Sequence, residues 1–213
     1  PGGSSVSIAL YSRGHVKQNG LVFELSPLND MRNRFDSEKM YKNLMTNYAY
    51  GEMANPAVLT DYYTRRHTGQ YRLHFASLAD DFLAKADEEL QMAASKKMNA
   101  EMLRKNGRGA DADKLIASIG NADAKAKEYK KKASNLLNRS IQVMPATAVI
   151  DYGEPTMSGR DKYKIGGIEL NSYSDGILHD YVGMLYRADD VKSAEALGAT
   201  VATQLESIMN YFA

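Results

Sequence analysis

The spacing of apolar residues constrains the fold of this chain more than any other feature. From residue 36 onward, apolar side chains recur every three or four positions, which is the period of an amphipathic α-helix. Glycine and proline divide the pattern into segments of helical length. Because most connections between these segments are short, neighbouring helices are expected to run antiparallel. The pattern therefore predicts a mainly helical fold built from antiparallel helical hairpins.

The helix boundaries follow from capping and breaking residues. A first helix is predicted after Asp36 or Ser37, which are good N-caps, and Gly51 and Pro56 end it. Since proline is favourable in a first turn, a second helix could begin near Pro56-Ala57. A long helix is predicted from about residue 71 to the break at Gly107-Arg108-Gly109. Further helices are predicted at about 113–119, 122–144, 174–188 and 191–212, with Asp189-Asp190 as a tight connection that can cap the last one.

The first 35 residues follow a different pattern. An apolar run at Ile8, Leu10 and Tyr11 and an alternating run at Leu21, Phe23 and Leu25 flank the turn signals Gly14 and Asn19-Gly20. This arrangement predicts two short paired strands. We divide the chain into a linker with a short extended or β segment, residues 1–35, and a helical domain, residues 36–213. Within that domain, residues 152–171 are rich in glycine and are expected to form a loop with an extended piece at 163–165.

Composition excludes several classes of protein. The chain has 213 residues, of which 44% are hydrophobic and 25% charged, so a packed core is feasible. No cysteine is present, which excludes disulfides, thiolate metal sites and a cysteine nucleophile. The net charge of +1 gives no general attraction to nucleic acid or to an anionic membrane. No apolar run reaches 18 residues, so we expect a soluble domain without a membrane span.

Motifs that carry chemistry are missing from the sequence. The four histidines, His15, His67, His74 and His179, stand in no metal-spaced pair, and surface or capping roles suit them better. No nucleophile motif is present, and the adjacent Asp80-Asp81 diverge by about 100° on a helix. We expect no catalytic residue, no metal and no cofactor.

Two basic segments are the remaining candidates for binding. Aromatic and basic residues mix at Tyr62, Arg65, Arg66, His67 and Tyr71, which makes these five residues a candidate binding site. A second group crowds one predicted helix at Lys125, Lys127, Lys130, Lys131 and Lys132. Acidic residues interleave with this second group, as on an ordinary solvated helix face. No nucleic-acid partner is expected.

Two pairs of helices carry the pattern of a tetratricopeptide (TPR) repeat. The first helix of a repeat is matched by Phe75, Leu78, Ala79 and Phe82, and its second helix by Ala133, Leu137, Ser140 and Pro145. Residues 84–132 separate these two halves, so this hairpin is expected to be stretched by an insertion. A second repeat is uninterrupted, with Leu178, Tyr181 and Leu185 followed by Ala194, Gly198 and Val201.

The order of several segments carries a family resemblance. They are LVFELSPL (21–28), DSEKMYKNLM (36–45), YGEM (50–53), NP (55–56), Arg65 and Arg66, FASLA (75–79) and LLNRSIQVMP (136–145). This order resembles the extramembrane C-terminal tail of a bacterial multi-spanning membrane family that is itself similar to protein O-mannosyltransferases. The resemblance covers most of the chain from about residue 21, apart from insertions at about 85–125 and 151–172.

The resemblance implies a binding role and not a catalytic one. In that family the glycosyl-transfer chemistry belongs to the membrane-embedded part, so no catalytic residue carries over to this chain. The tail would lie on the periplasmic side of the inner membrane. Its partner would be a protein, a peptide or the membrane domain of its own parent protein. The alternative hypothesis is a free-standing periplasmic or secreted enzyme or carbohydrate-binding domain, which would need converging polar side chains such as Tyr62, Arg65, Arg66, His67 and Tyr71.

Overall fold

The structure of the chain is a computed structural model. This structure describes residue 10 and residues 13–27, 36–55, 57–58, 62–145, 162–165, 168–171 and 175–212. Within these ranges, side chains are described except at residues 62–67, 70, 162–165, 168–171, 175–177, 205, 207–209 and 211–212. The described part is mainly helical, with a small antiparallel sheet at its N-terminal end, as the sequence predicts.

The N-terminal sheet is a two-stranded hairpin. Strand β1 (Val16–Gln18) pairs antiparallel with strand β2 (Phe23–Leu25), and Lys17 lies opposite Glu24. The turn between them is closed by a hydrogen bond of 2.9 Å from the Asn19 amide to the Val22 carbonyl. Gly20 adopts a φ of 85°, a conformation that glycine accepts without strain.

The predicted position of the first strand was wrong, whereas the turn and the second strand are confirmed. The strand was expected at Ile8, Leu10 and Tyr11. Leu10 instead has a helical backbone, and Ile8 and Tyr11 lie outside the described residues. Because a tight turn pairs the residues that directly flank it, the turn at Asn19-Gly20 selects β1 as the partner of β2.

Helix α1 (Ser37–Lys42) begins where the sequence predicts. The Asp36 side chain caps it by accepting a hydrogen bond of 3.3 Å from the Lys39 amide. The helix continues into a π-helical turn, Asn43–Asn47, and the backbone becomes extended at Tyr48. Met40 and Leu44 are fully buried, so this helix docks on the core through one apolar face.

Helix α2 (Tyr62–Lys105) is a single element of 44 residues, about 65 Å long at 1.5 Å per residue. The sequence suggested a helix start near Pro56-Ala57 and another near residue 71. Both positions were wrong: Ala57 lies in a turn, and the helix already includes residues 62–70. Gly69 costs the helix about 1 kcal/mol. Burial of Thr68 and Arg72 on either side of this glycine keeps the segment helical.

Helices α3 (Gly109–Ala117) and α4 (Ala122–Val143) return antiparallel along α2. Gly107, with a φ of 75°, ends α2, as the Gly107-Arg108-Gly109 break predicts. The Arg104 guanidinium bonds Asp113 at 2.7 Å, and Lys125 reaches Glu89 at 3.4 Å. The residues inserted between the two halves of the first repeat-like motif are therefore the distal part of one long hairpin, which we call the arm (residues 86–126).

The arm and the base of the hairpin are packed differently. In the arm, the buried hydrophobic residues are alanines: Ala86, Ala93, Ala100, Ala112, Ala122 and Ala126. At the base, the core contains large side chains, including Phe75, Leu78, Phe82, Leu83, Leu136, Leu137 and Met144. Phe82 lies against Tyr129 with ring centroids 6.0 Å apart and meets Tyr41 edge-on at 5.9 Å. The helices of the arm therefore lie close together, whereas the base contains most of the large buried apolar side chains.

A second hairpin of helices packs on this base. Helix α5 (Asp175–Arg187) and helix α6 (Val191–Phe212) confirm the two predicted C-terminal helices. Helix α5 lies against both α2 and α4. Its Arg187 bonds Asp80 at 2.9 Å and Asp87 at 3.0 Å. Leu178, Tyr181 and Leu185 of α5 join Ala194 and Leu197 of α6 in the common core.

The connection between α5 and α6 is anchored on α4. Asp190 caps α6 by accepting a 3.2 Å hydrogen bond from the Ser193 amide. It also accepts bonds from Ser134 at 2.6 Å and from Asn138 at 2.9 Å. These hydrogen bonds lower the pKa of Asp190 to about 2, and the bond from Ser134 has the largest effect. The predicted cap is confirmed, and the structure adds its anchoring role.

A second small sheet precedes α5. Strand β3 (Lys162–Ile165) pairs antiparallel with strand β4 (Ile168–Asn171), and Tyr163 lies opposite Leu170. The extended piece predicted at 163–165 is confirmed, whereas β4 lies in a stretch that was expected to be loop. The rest of the predicted loop lies outside the described residues.

Candidate functional site

The five residues selected from sequence lie on the first three turns of α2. Since successive residues of a helix are 100° apart, positions 62, 65, 66, 67 and 71 spread over about 240° around the helix axis. The side chains of Tyr62, Arg65, Arg66 and His67 lie outside the described set. Tyr71 is partly buried and packs against the core. A binding site at these five residues therefore stays a prediction.

A buried arginine directly follows them and was not selected from sequence. Arg72 is fully buried, and its Nη2 donates a hydrogen bond of 2.8 Å to the Met144 carbonyl at the end of α4. A cation at a helix C-terminus satisfies a terminal carbonyl and complements the helix dipole. Arg72 therefore joins the beginning of α2 to the end of α4.

A hydrogen-bonded chain of hydroxyls extends this junction to α5. The fully buried Tyr181 donates to the Arg72 carbonyl at 2.7 Å, and its hydroxyl lies 2.9 Å from Ser140 Oγ. Burial raises the pKa of Tyr181 well above its ordinary value. Burial likewise raises the pKa of Tyr50, whose hydroxyl donates to the Leu44 carbonyl at 2.8 Å. Both phenols are held neutral as structural hydrogen-bonding groups.

This buried junction holds helices together. The Tyr181 hydroxyl bonds both Ser140 and the Arg72 carbonyl, so it links α5 to α4 and α2. Thr68, also fully buried, directs its hydroxyl to the Met53 sulfur at 3.7 Å. Tyr181 and Thr68 thus each join α2 to another part of the chain, and Ser140 joins α4 to α5.

A serine-lysine-aspartate cluster lies between α1 and α2. Ser37 Oγ lies 2.6 Å from Lys85 Nζ and donates to Asp81 at 2.7 Å, while Lys85 also bonds Asp81 at 2.7 Å. A nucleophilic serine needs a neutral lysine as its base. Here Lys85 donates to both Ser37 and Asp81, so the cluster docks α1 on α2 through polar contacts.

The N-terminal hairpin is attached through polar contacts. Asn19 is buried, and its Oδ1 accepts a 2.9 Å bond from Asn43. The Tyr48 hydroxyl donates to the Asn19 carbonyl at 3.3 Å and accepts from the Leu21 amide at 3.2 Å. Gln18 Nε2 lies 2.7 Å from Nδ1 of His74 on α2. The hairpin thus rests on the π-helical turn and on α2 without burying an apolar side chain of its own strands.

Two parts of the described surface carry several exposed apolar side chains, and single ones lie elsewhere, as at Val58 and Tyr186. On the arm they are Met92, Met98, Met102 and Ile116, and on the hairpin Val22, Phe23 and Leu25. Exposed methionines are adaptable contact residues, because the side chain is flexible and polarisable. Contiguous apolar patches mark interaction sites, whereas single exposed apolar residues are ordinary on a protein surface.

Within the described residues, no three His, Asp or Glu side chains come close enough together to hold a metal ion. No described helix combines the length and the apolar character needed to cross a membrane. Comparison with family models, with curated proteins and with solved structures finds no match to this chain.

Proposed function

We propose that this chain is a non-catalytic, TPR-like interaction or scaffolding domain. In this proposal it forms the periplasmic tail of a membrane protein of glycosyltransferase-like type. The main support is the use of the buried polar side chains: Arg72, Ser140 and Tyr181 bond one another or the backbone and connect α2, α4 and α5. These side chains serve to hold helices together, which is consistent with a scaffolding role.

The packing of the two helical hairpins supports the TPR-like part of the proposal. In TPR arrays the first helix of one repeat packs against both helices of the preceding repeat. Helix α5 contacts both α2 and α4 in this way. The motif positions Phe75, Leu78, Leu137 and Tyr181 are all fully buried in one core.

The periplasmic location can be tested by cysteine labelling, because the chain has no cysteine of its own. The experiment uses the full gene product in cells with a permeabilised outer membrane. A Gly107→Cys variant places one thiol at an exposed turn, and Ala93→Cys places one in the buried seam as the matched control. We expect a membrane-impermeant maleimide to label only the first variant in intact inner membranes. Labelling of Gly107→Cys only after the inner membrane is broken would contradict the proposal.

The interaction role needs a second measurement. Lys127 and Lys131 are exposed and suit a lysine-reactive crosslinker. In the full gene product we expect crosslinks from these lysines to the region upstream of residue 1 or to a defined partner that co-purifies with it. Crosslinks confined to this domain, together with saturable binding of an oligosaccharide to the isolated chain, would instead support a carbohydrate-binding domain.

A further inference from the structure

We propose that the N-terminal hairpin (residues 13–27) is a proton-sensitive latch, whose docking is weakened when the imidazole of His74 takes up a proton. This inference concerns the fold alone and does not depend on the proposed function. It rests on the polar character of the hairpin's attachment and on the direction of the hydrogen bond between Gln18 and His74.

The described contacts that hold the hairpin are polar. In addition to the bonds of Gln18, Asn19 and Leu21, the Asp36 amide donates to the Gln18 carbonyl at 3.1 Å and Lys39 bonds Glu24 at 2.8 Å. The side chains of β1 are partly buried and those of β2 are exposed, with Phe23 at 58% and Leu25 at 70%. Because hydrophobic burial contributes little to this docking, the loss of one hydrogen bond weakens it measurably.

The geometry assigns the proton on His74. Gln18 Nε2 donates one hydrogen bond to the Gly20 carbonyl at 2.9 Å, which identifies this atom as the amide nitrogen. Its second proton points to His74 Nδ1 at 2.7 Å, so Nδ1 must accept and the neutral ring carries its proton on Nε2. When Nδ1 is protonated, two donors face each other and this bond is lost.

The environment of His74 contains no described charge that would offset this effect. On the hairpin, Lys17 lies opposite Glu24, which bonds Lys39. Because side chains alternate along a strand, the Lys17 side chain lies on the opposite face from that of Gln18. His15 bonds the Ser26 carbonyl. Of the titratable groups on the neighbouring elements, Tyr48 holds Asn19, Tyr71 packs on the core and Arg72 bonds the Met144 carbonyl.

Burial agrees with the geometry in favouring the neutral ring. The half-buried position of His74 lowers its pKa below the ordinary value of 6.5. Because the folded-state pKa is lowered, the latch is closed above pH 6.5. It weakens as the pH falls from 6.5 through the lowered pKa of the docked state.

Hydrogen exchange measured by mass spectrometry tests the latch in the intact chain. After correction for intrinsic rates, protection of peptides covering residues 13–27 is expected to fall about five- to tenfold from pH 7.5 to pH 5, as for the loss of one hydrogen bond. Peptides from α4 should keep their protection, which separates release of the hairpin from general unfolding. Unchanged protection of residues 13–27 would overturn the inference.

Three variants identify the titrating group. His74→Gln keeps an acceptor that cannot be protonated, so its hairpin should stay protected at both pH values. His74→Leu lacks the acceptor, so its hairpin should exchange rapidly at both, while α4 reports whether the variant is folded. His179→Gln removes an exposed histidine on α5 and should respond to pH as the unmodified chain does. A pH response that survives in His74→Gln would assign the effect to another group and refute the latch.

Discussion

The hydroxyl of Tyr181 provides the sharpest test of how the second hairpin is attached. This one atom connects α5 to the Arg72 carbonyl, 109 residues away, and to Ser140, 41 residues away, and both bonds are buried. The substitution Tyr181→Phe removes the hydroxyl and keeps the ring that fills the core. The cost then comes from lost hydrogen bonds and not from a cavity.

The magnitude follows from the two bonds. A buried hydrogen bond contributes about 1 kcal/mol, and Ser140 would be left without its tyrosine partner. The Arg72 carbonyl keeps its place in the helical ladder of α2, which limits the loss. We expect Tyr181→Phe to lower the free energy of unfolding by about 2 kcal/mol, or Tm by about 4–8 °C for a chain of this size.

The assay is urea denaturation followed by circular dichroism, applied to a double-mutant cycle with Ser140→Ala. Since the two side chains share one hydrogen bond, we expect a coupling energy of about 1 kcal/mol between them. Tyr186→Phe is the matched control, because Tyr186 lies on the same helix and is 48% exposed, and it should change stability by less than about 0.5 kcal/mol. Wild-type stability in Tyr181→Phe, or additive effects in the cycle, would refute the role assigned to this junction.

Three further substitutions test the cap of α6, the arm and the hairpin turn. The carboxylate of Asp190, with its pKa lowered to about 2, stabilises the fold above pH 3.8, and this stability is lost as the pH falls through 2. Asp190→Asn should therefore cost about 1 kcal/mol at pH 7 and reduce the loss of stability between pH 4 and 2 in acid titrations. Ala93→Leu should overpack the alanine seam and cost about 1–3 kcal/mol by urea denaturation, whereas Ala94→Leu, exposed one position along, should be nearly neutral. Gly20→Ala should lower the hydrogen-exchange protection of the hairpin, because the new Cβ would overlap the Tyr48 ring. Gly120 has a similar positive φ and open space around it, so Gly120→Ala should show only the cost of backbone strain.

Local features of the sequence determined several helix ends and the turn of the N-terminal hairpin. Asp36 caps α1 and Asp190 caps α6, each by accepting a hydrogen bond from the amide three residues further along. Gly107 ends α2 through its positive φ. The period of the apolar residues also placed Phe75 and Leu137 in the core. These signals were readable because capping and helical periodicity act over a few residues.

The candidate site was only partly accessible in this way. The sequence directed attention to the beginning of α2 and to Tyr71, but it missed Arg72, because arginine is seldom fully buried. A signal was present: residues 68, 72, 75 and 79 follow helical spacing, so a charged residue stands within an apolar stripe. Its partner, the Met144 carbonyl, lies 72 residues away and is a backbone group that no motif marks.

Tertiary structure alone decided the features that depend on distant contacts. Packing of residues 68 and 72 outweighed the helix-breaking tendency of Gly69 and made α2 continuous. The return of α3 and α4 along α2 turned the apparent insertion into an arm with an alanine seam. The docking of the hairpin on His74 joins residues 56 positions apart. The sequence by itself thus determined the helices, their caps and their apolar faces. The tertiary structure decided which faces meet and which polar groups join them, because those choices depend on free energies that arise only once the chain is folded.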